Sequence, residues 1–123
     1  MRIGETAERT GISEYTLRYY EKKGLIRVGR DEAGRRDYRE EDLEWFRFIQ
    51  RLKDTGMLLR DIRTYSELRY EGRATMKERM QMLKVHRDYV IRQREKWENH
   101  FRNLEDKIAF YEKEITNDSE NET

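Results

Sequence analysis

Ser13-Glu14-Tyr15-Thr16-Leu17-Arg18-Tyr19-Tyr20-Glu21-Lys22-Lys23-Gly24-Leu25 reads as a short helix with both ends marked. Ser13 is suited to accept a hydrogen bond from the first free backbone N–H groups, and Gly24 to take the left-handed conformation that stops the helix. Between them Leu17 can face a core, while Tyr15, Arg18, Tyr19 and Lys22 point outward. Cations alternating with phenolic hydroxyls suit phosphates and base edges, so this face is expected to lie in a DNA groove.

Upstream, Ile3 to Thr10 forms a second short helix with Ile3 and Ala7 on one face, and Gly11-Ile12-Ser13 makes a tight turn into the capped helix. That is helix-turn-helix spacing. Downstream, Leu25-Ile26-Arg27-Val28 and Arg35-Arg36-Asp37-Tyr38 flank a polar stretch centred on Asp31 to Gly34, which predicts two strands joined by a hairpin, a basic wing. From Glu40, acidic residues suit a helix start, and Leu43, Phe46, Ile49 and Leu52 keep helical spacing up to Gly56. A further short helix places Leu59, Ile62 and Tyr65 on one side.

After Gly72 the apolar residues fall at steps of four and three: Met76, Met80, Leu83, Val90, Trp97, Phe101, Leu104, Ile108, Tyr111 and Ile115, with Arg87 and Arg94 interrupting the series. This is a heptad seam. A helix over 75–115 spans roughly 60 Å at 1.5 Å per residue, too long to be buried by so small a domain. A partner helix is expected to cover it, with Val90, Trp97, Phe101, Leu104, Ile108 and Tyr111 at the dimer contact. A parallel in-register pair would oppose Arg87 to Arg87 and Arg94 to Arg94, so antiparallel pairing is preferred. Residues 116–123 are polar and predicted to be a disordered tail.

The 123 residues are 43% charged and 35% hydrophobic, which leaves little apolar mass for a lone compact core and favours burial against a second chain. The formal net charge is only +1, so a nucleic-acid footprint must come from local clustering. The absence of cysteine excludes disulfides, thiolate metal sites and a thiol nucleophile. His86 and His100 lie about 21 Å apart along one helix, too far to share an ion within a chain. No apolar signal or membrane span is visible, which makes the cytoplasm the expected compartment.

Ile3-Gly4-Glu5, Thr10-Gly11-Ile12-Ser13, Thr16-Leu17-Arg18-Tyr19-Tyr20-Glu21, Gly24-Leu25-Ile26, Arg36-Asp37-Tyr38 and Glu41-Asp42-Leu43 together resemble the MerR family of bacterial transcription regulators. The resemblance is dense over the first seventy residues. It implies a mainly α protein with an N-terminal winged helix-turn-helix domain over residues 1–70, followed by a dimerisation helix over 75–115 in an antiparallel coiled coil. It also implies a homodimer on a palindromic promoter operator, distorting double-stranded DNA to let RNA polymerase use a badly spaced promoter. DNA contacts carry over to Tyr15, Arg18, Tyr19 and Tyr20 in the second helix, with Tyr20 equally open to a core role. In the wing they carry over to Arg36 and Tyr38. Arg35 stands where the family pattern Gly-aromatic-Arg-x-Tyr has its aromatic, and Lys53 matches a position that braces phosphate near the operator centre.

Departures narrow the expectation. Leu58 replaces the serine that usually caps the fourth helix, so packing of Met57 and Leu58 is expected to hold its start. The wing and third helix look most like the short aldehyde- and thiol-stress subgroup, yet Phe48-Ile49-Gln50-Arg51-Leu52-Lys53 lacks its cysteine, so that effector does not carry over. The chain stops eight residues after Ile115, so no added effector domain is expected, and no cofactor or metal; the small-molecule effector is left unnamed. Alternatives to a regulator are an architectural or phage-type winged-helix DNA binder and a coiled-coil adaptor. An enzyme is not expected, since the carboxylates sit in solvated helical charge patterns with lysine and arginine.

Overall fold

A computed structural model describes residues 1–121. Helix α1 (Ile3–Thr10) and helix α2 (Glu14–Lys22) are followed by strands β1 (Gly29–Arg30) and β2 (Arg36–Asp37), then α3 (Leu43–Asp54), α4 (Leu59–Glu71) and α5 (Met76–Asn121). Single 3-10 turns, Glu40–Asp42 and Arg73–Thr75, lead into α3 and α5. The described chain divides into two compact units, the first Met1–Leu83 and the second beginning at Lys84.

The first unit is organised around a core in which Leu17, Tyr20, Phe46, Ile49 and Ile62 are fully buried. The expected core faces of α3 and α4 are both found, and Trp45 adds to them by stacking on Tyr65 at 5.7 Å and 24°. Truncating a buried phenylalanine such as Phe46 to alanine typically costs about 3–5 kcal/mol. The unit continues past residue 70: Thr75 Oγ1 donates to the Leu68 carbonyl at 2.6 Å, and Met82 and Leu83 pack against the core. A boundary at residue 70 would therefore leave out contacts that close the domain.

The wing differs from its prediction at one strand. Leu25–Val28 is not part of the ladder, which pairs Gly29 with Asp37 and Arg30 with Arg36. The backbone of that stretch bonds to side chains of α4 instead: Ser66 Oγ donates to the Leu25 carbonyl at 2.6 Å, and the Arg27 N–H donates to Tyr70 Oη at 3.1 Å. Leu25 and Ile26 are buried, so β-type residues here serve the core rather than a sheet. The hairpin loop is shaped by Asp31, whose Oδ1 accepts the N–H groups of Ala33 and Arg35 at 2.9 Å each, and by Gly34 at φ 80°.

Leu58 caps α4 with no side-chain hydrogen bond. Of the two residues expected to hold this start by packing, Met57 is buried, whereas Leu58 is 54% exposed and lies outside the core cluster.

Helix α5 has no buried residue. Within the second unit Trp97, Phe101, Leu104, Ile108, Tyr111 and Ile115 are all at least half exposed, and Val90 is intermediate. The helix runs to Asn121, so residues 116–121 of the expected disordered tail are helical, while Glu122 and Thr123 lie outside the described residues. Its polar residues remain compatible with one solvated helical turn after another.

Candidate nucleic-acid interface

Helix α2 has the ends its sequence calls for. Ser13 Oγ accepts the Thr16 N–H at 3.1 Å, and the Leu25 N–H returns to the Tyr20 carbonyl at 2.9 Å around Gly24 at φ 75°. This fixes which side chains face out. Tyr15 is 78% exposed. Arg18 is exposed and enters none of the ion pairs among the described residues, so its five N–H donors face water. Tyr19 is half-buried, with the Lys23 ammonium 5.7 Å from its ring centre.

Two of the expected contact residues are core side chains instead. Tyr20 lies three residues after Leu17, on the same helix face, and is fully buried. Its hydroxyl donates to Gln50 Oε1 at 2.6 Å. Burial, with the charge of Asp54 adding, pushes its phenol up to about 12. Tyr38 leaves β2 toward the core and meets Phe46 edge-on at 6.1 Å. Its buried hydroxyl has no hydrogen-bond partner among the described residues. The tyrosine pattern matched the family motif, but only the side chains on the outer face can meet a ligand directly.

Tyr38 also marks where the helix and the wing converge. Burial raises its pKa most and Glu21 adds to this, while Arg36, Arg18 and Arg30 pull it down. One carboxylate and three cations from α2 and both strands thus act on a single phenol. Arg36 Nε donates to Glu21 Oε1 at 2.9 Å, and Arg30 Nη2 reaches both Glu21 oxygens at 3.4 Å. The bond to Glu21 raises the pKa of Arg36, so its charge is permanent.

Arg35 is well exposed on the wing, its Nε 3.4 Å from Asp31 Oδ2. Lys53 is exposed at the end of α3 with its ammonium 5.6 Å from the Tyr20 ring centre. The structure therefore presents Tyr15, Arg18, Tyr19, Arg35, Arg36 and Lys53 to solvent at least in part. Glu21, which joins the wing to α2, was missed from the sequence. Its signal was there: a lone acid among Arg18, Lys22 and Lys23 would oppose a phosphate unless it serves another cation.

The model of the MerR HTH family regulatory protein matches residues 1–68, more than half of the chain. This chain belongs to the MerR family. An HTH-type transcriptional regulator of Haemophilus influenzae, itself uncharacterised, is 42% identical over 110 residues, covering 89% of this chain and 82% of that protein. The regulator AdhR of Bacillus subtilis is 38% identical over 92 residues, covering 74% of this chain and 66% of AdhR. Among solved structures, HiNmlR, a MerR family regulator lacking the sensor domain and bound to promoter DNA, superposes with a TM-score of 0.80 at 41% identity. That match covers 91% of this chain and 90% of HiNmlR.

This MerR chain is accordingly an HTH-type transcription regulator, and its relatives are regulators rather than enzymes. No group of three or more His, Cys, Asp or Glu among the described residues converges as a metal site. No helix among them is long and apolar enough to cross a membrane.

Proposed function

We propose that this MerR-type regulator binds a palindromic promoter operator as a homodimer and distorts the DNA between the half-sites to control initiation by RNA polymerase. The observation that carries this reading is the outward face of α2, where Tyr15, Arg18 and Tyr19 stand clear of the core beside a wing bearing Arg35 and Arg36. Arg18 reads base edges in the major groove. A guanidinium can pair with guanine through two parallel hydrogen bonds, which an isolated lysine ammonium cannot. Tyr15, Tyr19, Arg35 and Arg36 fix register on the phosphates, and Lys53 does the same nearer the operator centre. Tyr20 and Tyr38 act from beneath, holding α2 and the wing in place.

The exposed seam of α5 supports the dimer. A lone helix with tryptophan, phenylalanine, leucine and isoleucine exposed every three or four residues presents more contiguous apolar surface than soluble monomers usually tolerate. A second copy, antiparallel, covers Trp97, Phe101, Leu104, Ile108 and Tyr111 and keeps the exposed Arg87 and Arg94 away from their own counterparts. HiNmlR, described as lacking the sensor domain yet bound to promoter DNA, supports operator binding by a chain of this length.

Selection of genomic fragments with the purified chain tests the reading. Enrichment of a palindrome located between promoter elements is the expected result. Shallow enrichment without a motif would favour an architectural binder, and no retention of DNA would contradict the reading altogether.

A further inference from the structure

Residues 72–75 alone join α4 to α5, and a glycine opens the stretch. Gly72 stands at φ 97° and ψ −156°, a region that glycine enters far more readily than any other residue. A Cβ there would meet no atom within 4 Å, so the position asks for glycine on grounds of backbone conformation and not of space. A joint this short, led by a small residue, is the kind of segment in which hinges form.

This joint is closed by a clasp. The Gly72 carbonyl accepts from the Thr75 N–H at 3.2 Å, from Thr75 Oγ1 at 2.9 Å and from Arg79 Nη2 at 3.0 Å. Thr75 Oγ1 shares its one proton between that carbonyl and the Leu68 carbonyl at 2.6 Å, while a lone pair accepts from Arg79 Nε at 3.0 Å. Thr75 is buried, so water does not compete for its hydroxyl. Arg79 is half-buried and enters none of the ion pairs among the described residues. Its planar fork is used on a hydroxyl and a carbonyl, a geometry that lysine could not reproduce. Farther on, Met82 and Leu83 pack against the core. About two turns of α5 are thus fixed to the first unit at both ends.

We propose that Thr75 and Arg79 determine which operator spacing the regulator accepts, by closing the Gly72 joint and so fixing the direction in which α5 starts from the DNA-binding unit. This rests on the proposed function, in which two copies meet along α5. A fixed start of α5 gives such a pair one preferred separation of its two α2 helices. A loose start would let each α2 sample several. Both residues act through the joint and not by touching DNA, so they are positioning residues.

The test compares the full wild-type chain with Thr75→Val, Thr75→Ser and Arg79→Gln by anisotropy titration. The duplexes are the palindrome enriched in the fragment selection, the same palindrome with one base pair added or removed at its centre, and a random sequence. One base pair changes the separation of the half-sites by about 3.4 Å and turns one against the other by roughly 35°. Wild type is expected to bind the native spacing several-fold more tightly than the altered ones. Thr75→Val and Arg79→Gln should lower that preference several-fold and leave random-duplex affinity unchanged, because the DNA-facing groups are intact. Thr75→Ser keeps the hydroxyl and should retain the wild-type preference. Should Thr75→Val fail to fold by circular dichroism, Arg79→Gln decides, since its side chain is partly in solvent. Folded Arg79→Gln with the wild-type spacing preference, or with affinity lowered equally for every duplex, would overturn the clasp and leave the regulator reading intact. Failure of the wild-type chain to enrich any palindrome would overturn both.

Discussion

Glu21 Oε1 accepts the Arg36 Nε–H at 2.9 Å, so the outward helix and the wing are tied by one ion pair fifteen residues apart. The carboxylate is mostly covered, whereas the guanidinium is 36% exposed. Exposure on the arginine side limits what the pair adds to stability, to at most about 1 kcal/mol. Its value is geometric, since it sets the angle at which two DNA-facing elements approach a duplex.

Glu21→Gln is expected to lower the urea midpoint only slightly while changing selectivity. Loss of the carboxylate frees Arg36 and Arg30 and removes a charge that repels phosphate. Binding to random DNA should rise and the ratio of operator to random affinity should fall. Parallel anisotropy titrations with both duplexes check this, and an unchanged ratio would show that the pair does not orient the wing.

Arg18→Ala and Arg36→Ala separate reading from holding. Arg18→Ala should remove discrimination between operator and random sequence, a loss of about 1–3 kcal/mol for one bidentate base contact. Arg36→Ala should weaken both duplexes alike and reduce the salt slope by about one. Unchanged affinity in both variants would contradict the interface.

Tyr20→Phe tests the core role of a tyrosine that the family motif places among the contacts. Leaving the Gln50 carbonyl without its donor should cost about 1–3 kcal/mol of stability, with DNA affinity of the folded protein unchanged. The phenol pushed up to about 12 gives a pH signature as well. Its folded pKa lies above the ordinary 10.0, so its contribution is fully present below pH 10 and is lost as pH rises toward about 12. The alkaline fall in stability should flatten in Tyr20→Phe. A variant with native stability but weakened DNA binding would return Tyr20 to the contact surface.

Leu104→Asp places a charge in the middle of the α5 seam, where Leu104 is 64% exposed in the single chain. Sedimentation should show a monomer, with DNA affinity falling in step. A profile still dimeric would show that the chains meet through another surface.

The fold was legible where local chemistry and burial point the same way. Ser13 and Gly24 mark the ends of α2 by capping alone, and the spacing of Leu43, Phe46, Ile49 and Leu52 places α3 without tertiary information. Leu25–Val28 misled because a β-type apolar run bonds to Ser66 and Tyr70, more than forty residues away, and no local pattern reports such partners. The site was legible as residue types but not as orientations. Tyr19 and Tyr20 are neighbours in sequence, and burial beside Leu17 together with the bond to Gln50 shows that Tyr20 is the one pointing inward. Glu21 showed only as an acid out of place among cations, since its partners, Arg30 and Arg36, lie in the hairpin.

On the proposed function, the outward face of α2 and the wing hold a promoter and distort it. Footprinting of the selected fragment with the full chain, with and without RNA polymerase, tests this most directly. Two protected half-sites related by a palindrome are expected between the promoter elements, with the bases at their centre becoming hyper-reactive. Protection of one unpaired site, or a palindrome whose centre keeps the reactivity of free duplex, would contradict it.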